Sequence, residues 1–388
     1  MRKEEFEKQA GQYTSVFEIN LDGIKRNVQR IRDFIGQGHE LIGVVKGDAY
    51  GFGLERIAEL LVQECNVQML AVAHVCEGIR LREDGIQCGI LVMSAVPERL
   101  LPMAFEHDLQ IPVYNARIAE AIDQEGDRQG KKLKIHIKVE TGMNRMGIHP
   151  GEDMEKLLEV LKRTTWLDVY GTYTHFATAR IYGNAFTKEQ LERFKNGLNQ
   201  IRGAGFSPSC IHAANSGAIM WLPDSWFTHV RSASLLIGYA RLKEHEEDNP
   251  VQVEQIGSWR TAVSNIYEVQ PGESVGYGRH FVPDRPTRIA LIPVGNCDGI
   301  IRDVALKYGP VLLNGKRTRY LGTCMDQCFI DVTDLKCEVG DVVTIFGEDG
   351  DTYLSPLELL PYSANMTCSQ CFSTIGQRVL RRYVRDDS

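Results

Sequence analysis

The chain is short of cysteine, of long apolar runs and of basic excess, and each shortage removes a class of protein. Ten cysteines in 388 residues are too few for a disulfide-stapled scaffold. Cys324 with Cys328 and Cys368 with Cys371 would together offer four thiolates to zinc, but Cys-x3-Cys is an unusual knuckle spacing and unpaired thiols are common in cores. They are read as buried thiols, and no metal is expected. No apolar run approaches the ~18–20 residues of a membrane span. Met1 to Phe6 carries Lys3, Glu4 and Glu5 where a secretory signal needs an apolar core, so a cytoplasmic protein is expected. Lys plus Arg number 44 against 51 for Asp plus Glu, a net charge of −7, and no basic run offers a track for phosphate backbones. Membrane and nucleic acid are thus set aside as partners. What remains is an ordinary globular composition, 43% hydrophobic and 24% charged, long enough for two or three domains.

Between Glu40 and Arg231 short β-rich runs alternate with longer segments of helical period, as in repeated βα units around a parallel sheet. Strands are expected at Leu41–Val45, Met69–Ala73, Gly89–Met93, Leu109–Val113, Leu133–Val139, Leu167–Thr174, Ser209–Ala213 and His229–Arg231. Segments such as Glu55–Gln63, Pro97–Glu106, Met154–Arg163 and Lys188–Ala204 place apolar residues three and four apart. Eight such units predict a closed (β/α)8 barrel. Ahead of them, Ser15–Asn20 and a helix with Leu21, Ile24, Val28, Ile31 and Phe34 on one face fall outside the barrel count.

Past Gly238 an acidic stretch with Glu244, Glu246, Glu247 and Asp248 reads as a solvated crossover. Beyond it come β-branched runs at Ala262–Val269, Arg288–Val294, Val311–Leu313, Cys328–Val332 and Val342–Phe346, punctuated by Pro271-Gly272, Asn314-Gly315 and Asp349-Gly350. This predicts a mostly β domain built on hairpins, with Asn314-Gly315 in a type I′ turn. The expected layout is an N-terminal segment, residues 1–14, packed with the β domain; a barrel, 15–240; and the β domain, 241–388.

Barrels of this kind build their sites at the C-terminal ends of the strands. There the sequence places Lys46, Lys138 with Arg145 in the next loop, His175, His212 to Ser216, and Arg231. Any one of these also fits a solvated charge at a strand end. Five together on one rim point to a site. Lys46 closes an apolar strand and opens the loop Gly47-Asp48-Ala49-Tyr50-Gly51-Phe52-Gly53. A desolvated lysine there can condense with a carbonyl, the glycines permit close backbone approach, and Tyr50 offers a hydroxyl to a phosphate.

The segment Val44 to Gly53 resembles the pyridoxal-phosphate attachment motif of the alanine racemase family. The resemblance runs along nearly the whole chain, through Lys138–Gly147, Tyr173–Ala177, Ala214–Ser216, Val275–Gly278 and Cys324–Gln327. It implies a barrel followed by a β domain, a small amino acid as substrate, and a homodimer in which each site is completed by the partner's β domain. By the same resemblance, Lys46 holds pyridoxal 5'-phosphate covalently and acts as one acid/base, and Tyr277 of the other subunit acts as the second. Racemisation needs two, because reprotonation from the face that lost the proton only restores the starting enantiomer.

Arg231 matches the residue that donates to the pyridine nitrogen, which keeps that nitrogen unprotonated and the ring a weak electron sink. His175 would link Arg231 to the tyrosine. Arg145, helped by the backbone N–H of Met325, matches the group that meets the substrate carboxylate. Lys138 matches a lysine often carbamylated in the family, which would orient Arg145. The phosphate falls to Tyr50, Ser216 and the backbone of Ala233 and Ser234, with Asn215 beside them.

Three departures bear on substrate and cofactor. Gly295-Asn296-Cys297-Asp298-Gly299 has Asn296 where the family usually has tyrosine, Gln377 stands where a phosphate-binding tyrosine is frequent, and Arg231-Ser232-Ala233-Ser234 replaces a glycine-containing turn. Two lost tyrosines would widen the substrate side of the pocket, favouring serine beside alanine, or a larger amino acid in a related racemase or epimerase. A decarboxylase on the same barrel would place a carboxylate opposite the pyridine nitrogen, against Arg231. A non-catalytic pyridoxal-phosphate barrel would lack Tyr277, Arg145 and the β domain.

Overall fold

The first strand, β1 (Ser15–Asn20), departs from the expected layout. It lies outside the barrel strands as expected, but in the β unit rather than in a barrel domain starting at residue 15, pairing antiparallel with Gly257–Ala262 and parallel with Leu380–Val384. Strands on both sides satisfy its backbone donors and acceptors, and Ser15 Oγ accepts from the Trp259 indole N–H at 2.6 Å. The computed structural model describes residue 1 and residues 3–239, 249–364 and 366–386. It divides into a β unit, Met1–Gly23 with Tyr50–Phe52 and Gln255–Ser388, and a barrel unit, Ile24–Ala49 with Gly53–Glu254. A barrel beginning at residue 15 is therefore corrected: β1 belongs to the β unit. The crossover expected at Glu244–Asp248 lies outside the described residues.

The barrel strands are β2 (Glu40–Val44), β3 (Met69–Val72), β4 (Gly89–Val92), β5 (Ile111–Val113), β6 (Leu133–Lys138), β7 (Leu167–Tyr173), β8 (Cys210–His212) and β9 (His229–Ser232). They form two parallel runs, β4-β3-β2-β9 and β5-β6-β7-β8. A parallel bridge between Leu91 and Gln110 joins one seam. Backbone bonds from Thr228 N–H to Ile211 O (3.2 Å) and from Arg231 N–H to Ala214 O (3.0 Å) join the other, so the ring closes as a (β/α)8 barrel. The helices between strands carry the expected stripes. Helix Ala116–Gln129, for example, is capped by Asn115, buries Ile118, Ala119 and Ile122, and stops at Gly130 with φ 62°. No helix among the described residues is long and apolar enough to cross a membrane.

In the β unit follow β10 (Gly257–Ala262), β11 (Asn265–Val269), β12 (Thr287–Ile292), β13 (Pro310–Leu313), β14 (Lys316–Thr323), β15 (Cys328–Asp331), β16 (Val342–Asp349), β17 (Thr352–Leu354) and β18 (Leu380–Val384). The run expected at Ala262–Val269 is two strands, β10 and β11, interrupted at Val263 and Ser264. Asn314 (φ 49°) and Gly315 (φ 73°) make the expected left-handed turn between β13 and β14.

The unit's core gathers Phe17, Phe52, Phe346 and Phe372. Phe52 lies 5.0 Å from both Phe17 and Phe372, and Phe346 lies 5.4 Å from Phe372, ring centre to ring centre. Gly51 admits Phe372 to this cluster: at φ 89° a Cβ there would overlap the Phe372 carbonyl. Phe372→Ala should lower stability by about 3–5 kcal/mol in urea unfolding. Val339→Ala, at a 50% exposed position, should stay within about 0.5 kcal/mol.

Candidate active site

Lys46 follows β2 and opens a left-handed turn: Gly47 (φ 63°), Asp48 (φ 57°), Ala49 (φ 51°) and Tyr50 (φ 59°) all have positive φ. Ala49 N–H bonds Val45 O at 2.8 Å, closing one helical turn of the wrong hand. Each non-glycine residue in it costs about 1–2 kcal/mol. The turn is held from both ends. Asp48 Oδ1 accepts from Leu54 N–H at 3.0 Å, and Glu77 Oε1 accepts from Gly47 N–H at 2.6 Å. Lys46 is half-buried, and its amine is held below the ordinary lysine range by burial, then by Arg145; Glu77 opposes this and Arg231 adds to it.

Arg231, 3% exposed, lies at the centre of a fixed network. Its Nη1 donates to His212 Nδ1 and to His212 O, both at 2.9 Å. Its Nη2 donates to Thr174 O (2.8 Å), Ala213 O (3.2 Å) and His175 Nδ1 (3.4 Å). A guanidinium only donates, so these bonds assign the histidine tautomers. His212 Nδ1 must accept, which leaves its Nε2–H to donate to His136 Nδ1 at 3.1 Å. His136 Nε2–H then donates to Gln110 Oε1 at 2.7 Å. Both rings are neutral. Burial, reinforced by Arg231 among other cations, pushes His212 well below the ordinary range and His136 to about 3. By the same logic His175 accepts through Nδ1 and carries its proton on Nε2. Its affinity for a second proton is suppressed by burial, then by Arg231, Lys138, Arg145 and Lys46. Among the described residues no acceptor faces the Arg231 Nε–H.

Lys138, 5% exposed, projects its amine over the Tyr173 ring, 4.3 Å from its centre. Burial first, then Arg231 and Arg145, holds it well below the ordinary lysine range, with Glu140 opposing. Arg145 lies in the following loop, exposed. Glu140 ties that loop down by accepting from Gly142 and Met143 N–H, each at 2.7 Å, and from Arg145 N–H at 3.3 Å. Burial alone would raise the Glu140 pKa, but these amides outweigh it and lower it.

At the ends of β8 and β9, Ser216 Oγ lies 3.4 Å from Ser232 Oγ and accepts from Ala233 N–H at 3.1 Å. Ser234 follows, half-buried. Asn215 is committed to structure: its Oδ1 caps Ala218 N–H at 3.1 Å and its Nδ2 reaches Phe176 O at 3.4 Å.

Tyr277, Asn296, Met325 and Gln377 belong to the β unit. Tyr277 is 79% exposed, on a turn between Gly276 (φ 67°) and Gly278 (φ 72°). Asn296 N–H bonds Cys324 O at 3.1 Å, and its Oδ1 faces the Thr323 hydroxyl at 3.1 Å. Cys297 N–H bonds Met325 O at 3.0 Å. Gly376 N–H bonds Asp298 O at 2.9 Å, bringing exposed Gln377 near the same turn. Among the described residues the four cysteines weighed for zinc form no metal-capable group, whereas His136, Cys210 and His212 have ligand atoms within 4.8 Å of one another. The hydrogen bond between the two imidazoles accounts for their closeness, and burial pushes the Cys210 thiol up to about 12, away from the thiolate a metal needs.

Glu77, Gln110 and His136 escape sequence reading. A signal for His136 exists: in β6, Lys134, His136 and Lys138 alternate with Leu133, Ile135 and Ile137, placing the three polar residues on one face. For Glu77 the only local cue is its place three residues after His74, where it accepts the His74 N–H at 3.0 Å.

Sequence comparison matches residues 19–241 to the alanine racemase N-terminal domain and residues 256–383 to its C-terminal domain. Alanine racemase 1 of Clostridium acetobutylicum is 33% identical over 371 residues, 95% of each chain. Alanine racemase of Methanococcus maripaludis is 35% identical over 341 residues, 87% of this chain and 90% of its own. The crystal structure of alanine racemase from Bacillus anthracis with bound L-Ala-P superposes with a TM-score of 0.91 at 30% identity, covering 97% of this chain and 96% of that one. With both domains matched in order, and relatives matched along almost their full length, the chain is an enzyme of the alanine racemase family of amino-acid racemases.

Proposed function

We propose that the protein interconverts L- and D-alanine, or another small amino acid such as serine, with pyridoxal 5'-phosphate as cofactor. The observation that carries this reading is Arg231: a buried, fully anchored guanidinium with its Nε–H left to donate fits an unprotonated ring nitrogen. Lys46, with its proton affinity lowered, fits covalent attachment. Ser216, Tyr50 and the backbone of Ala233 and Ser234 would hold the phosphate, with Gln377 in place of a tyrosine and Asn215 acting as a cap beside them. When bound, the cofactor supplies an electron-withdrawing ring that acidifies the substrate Cα–H.

The protein's own groups divide the remaining work. Lys46 Nζ holds or moves a proton on one face of the substrate carbon. Tyr277, exposed on its glycine-flanked turn, would serve the opposite face in a partner subunit, with His175 Nε2–H orienting its hydroxyl. Arg145 would meet the substrate carboxylate, assisted by Met325 N–H. The buried Lys138 amine, its proton affinity lowered by burial and by Arg231, is suited in its unprotonated form to add carbon dioxide, giving a carbamate and a released proton; the resulting anion would face Arg145.

Four measurements check these roles. Borohydride reduction followed by peptide mapping should place the cofactor mass on Lys46, and a different labelled lysine would reject the attachment. Tyr277→Phe should abolish α-proton exchange in heavy water chiefly from the L-enantiomer; equal loss from both enantiomers would leave the two-base reading unsupported. Mixing inactive Lys46→Ala and Tyr277→Phe proteins and allowing subunits to exchange should restore roughly a quarter of wild-type activity, since half the dimers then hold one intact site of two. If both bases belonged to one chain, mixing would restore nothing. Finally, Asn296 turns its carbonyl to Thr323 and leaves amide donors for a substrate hydroxyl, so kcat/KM for serine should approach that for alanine. Asn296→Tyr with Gln377→Tyr should then shift preference toward alanine by about 10-fold or more, and an unchanged ratio would remove the serine reading.

A further inference from the structure

Glu77 lies outside every motif read from the sequence, yet its carboxylate makes three backbone bonds at the site. Oε1 accepts from Gly47 N–H at 2.6 Å; Oε2 accepts from Ala73 N–H at 2.7 Å and from His74 N–H at 3.0 Å. The first reaches the residue directly after Lys46, and the other two reach the loop after β3. One side chain thereby ties the first two strand ends of the rim together. Helix Val75–Glu83 supplies it, so the clamp is mounted on a packed element rather than on a second loop.

Two consequences follow. The left-handed turn after Lys46 is unfavourable for Asp48, Ala49 and Tyr50, and a charge-assisted bond to Gly47 N–H opposes its relaxation. The charged groups around the Lys46 amine are also unbalanced: Arg145 and Arg231 disfavour its ammonium form, and Glu77 is the anion that favours it. His175 faces the same cations. On its other side Glu77 is near Arg80, which is itself engaged by Glu55 at 2.5 Å and lies 4.0 Å from Asp48.

We infer that Glu77 is a positioning residue for Lys46, fixing the turn that carries the lysine and supplying the negative charge that offsets two guanidiniums at its amine. This rests on Lys46 being the working lysine, but it concerns the free amine and can fail independently of racemase activity.

The test uses full-length protein freed of cofactor with hydroxylamine. Limiting acetic anhydride at a series of pH values, with quantitation of the Lys46 peptide by mass spectrometry, reads the midpoint at which the amine becomes reactive; exposed Lys156 serves as internal reference. Glu77→Gln keeps the shape and removes the charge, so the Lys46 midpoint should fall by roughly one pH unit while that of Lys156 stays put. Glu77→Asp keeps the charge one methylene further back, so its midpoint should lie between the two. A purely structural cap would lower the melting temperature in both variants and leave the midpoint where it was, which overturns the inference. Should Glu77→Gln fail to fold, Glu77→Asp decides: a midpoint equal to the wild type rejects the proposal and a smaller fall supports it. A shifted midpoint in a protein that racemises nothing would reject the proposed function alone.

Discussion

The constraint on which the site depends is an excess of positive charge at one end of a barrel. Burial, together with Arg145 and Arg231, lowers the proton affinity of both the Lys46 and the Lys138 amines, and Arg231 is almost completely buried. Burying a guanidinium is unfavourable unless its donors are taken up. The chain uses carbonyls of Thr174, His212 and Ala213 and two neutral histidines rather than a carboxylate. That choice leaves the charge uncompensated. This rim of the barrel is consequently electropositive before any ligand arrives, matched to species carrying phosphate and carboxylate groups.

The same uncompensated charge decides the states of its neighbours. A donor-only group at the head of the chain Arg231–His212–His136–Gln110 leaves one consistent set of tautomers, and Gln110 ends the relay by offering a carbonyl. The relay also needs room. Gly171 opposes Cys210 in the β7–β8 ladder, and a Cβ on it would collide with the His136 ring, so a glycine in the middle of a strand is the condition for the histidine pair. The register shift between Ile135 and His136 in the β6–β7 ladder occurs at the same place.

Much of this was legible in sequence because period and strand ends are local properties. Each of the eight barrel strands begins or ends within about two residues of its expected limits, since β-branched runs bounded by polar loops define them. The strand-end residues Lys46, Lys138, Arg145, His175 and Arg231 were recognisable for the same reason. What was not legible depended on partners distant in the chain. β1 was set outside the barrel count, but that it belongs with the β unit emerged only with its neighbours, Gly257–Ala262 and Leu380–Val384. β14 begins Lys316-Arg317-Thr318-Arg319, too polar to read as a strand without its hairpin partner. Glu77 and Gln110 look like ordinary surface residues in sequence, and only three-dimensional closure brings one to the Lys46 turn and the other to a buried imidazole.

The protonation states also explain why the proposed reaction reaches beyond the barrel unit. Racemisation requires a second group able to exchange a proton on the face opposite Lys46. The barrel's other ionisable groups around that lysine are poor candidates. Arg145 carries a guanidinium, a donor-only group, and Arg231, though burial lowers it to about 10, is committed through both terminal nitrogens. His175 is disfavoured as a base by burial first and then by Arg231, and the Lys138 amine is buried beside the same guanidinium. The Tyr173 phenol is buried, its pKa raised by that burial, and its hydroxyl is spent on Met93 O at 3.2 Å. Glu77 is spent on three backbone N–H groups, so among these described residues Lys46 is the one left to exchange a proton in the proposed reaction. A phenol approaching from outside would be well matched to this cation-rich site, because the field that suppresses protonation of His175 and Lys138 also stabilises a phenolate. Tyr277 is an exposed phenol of that kind.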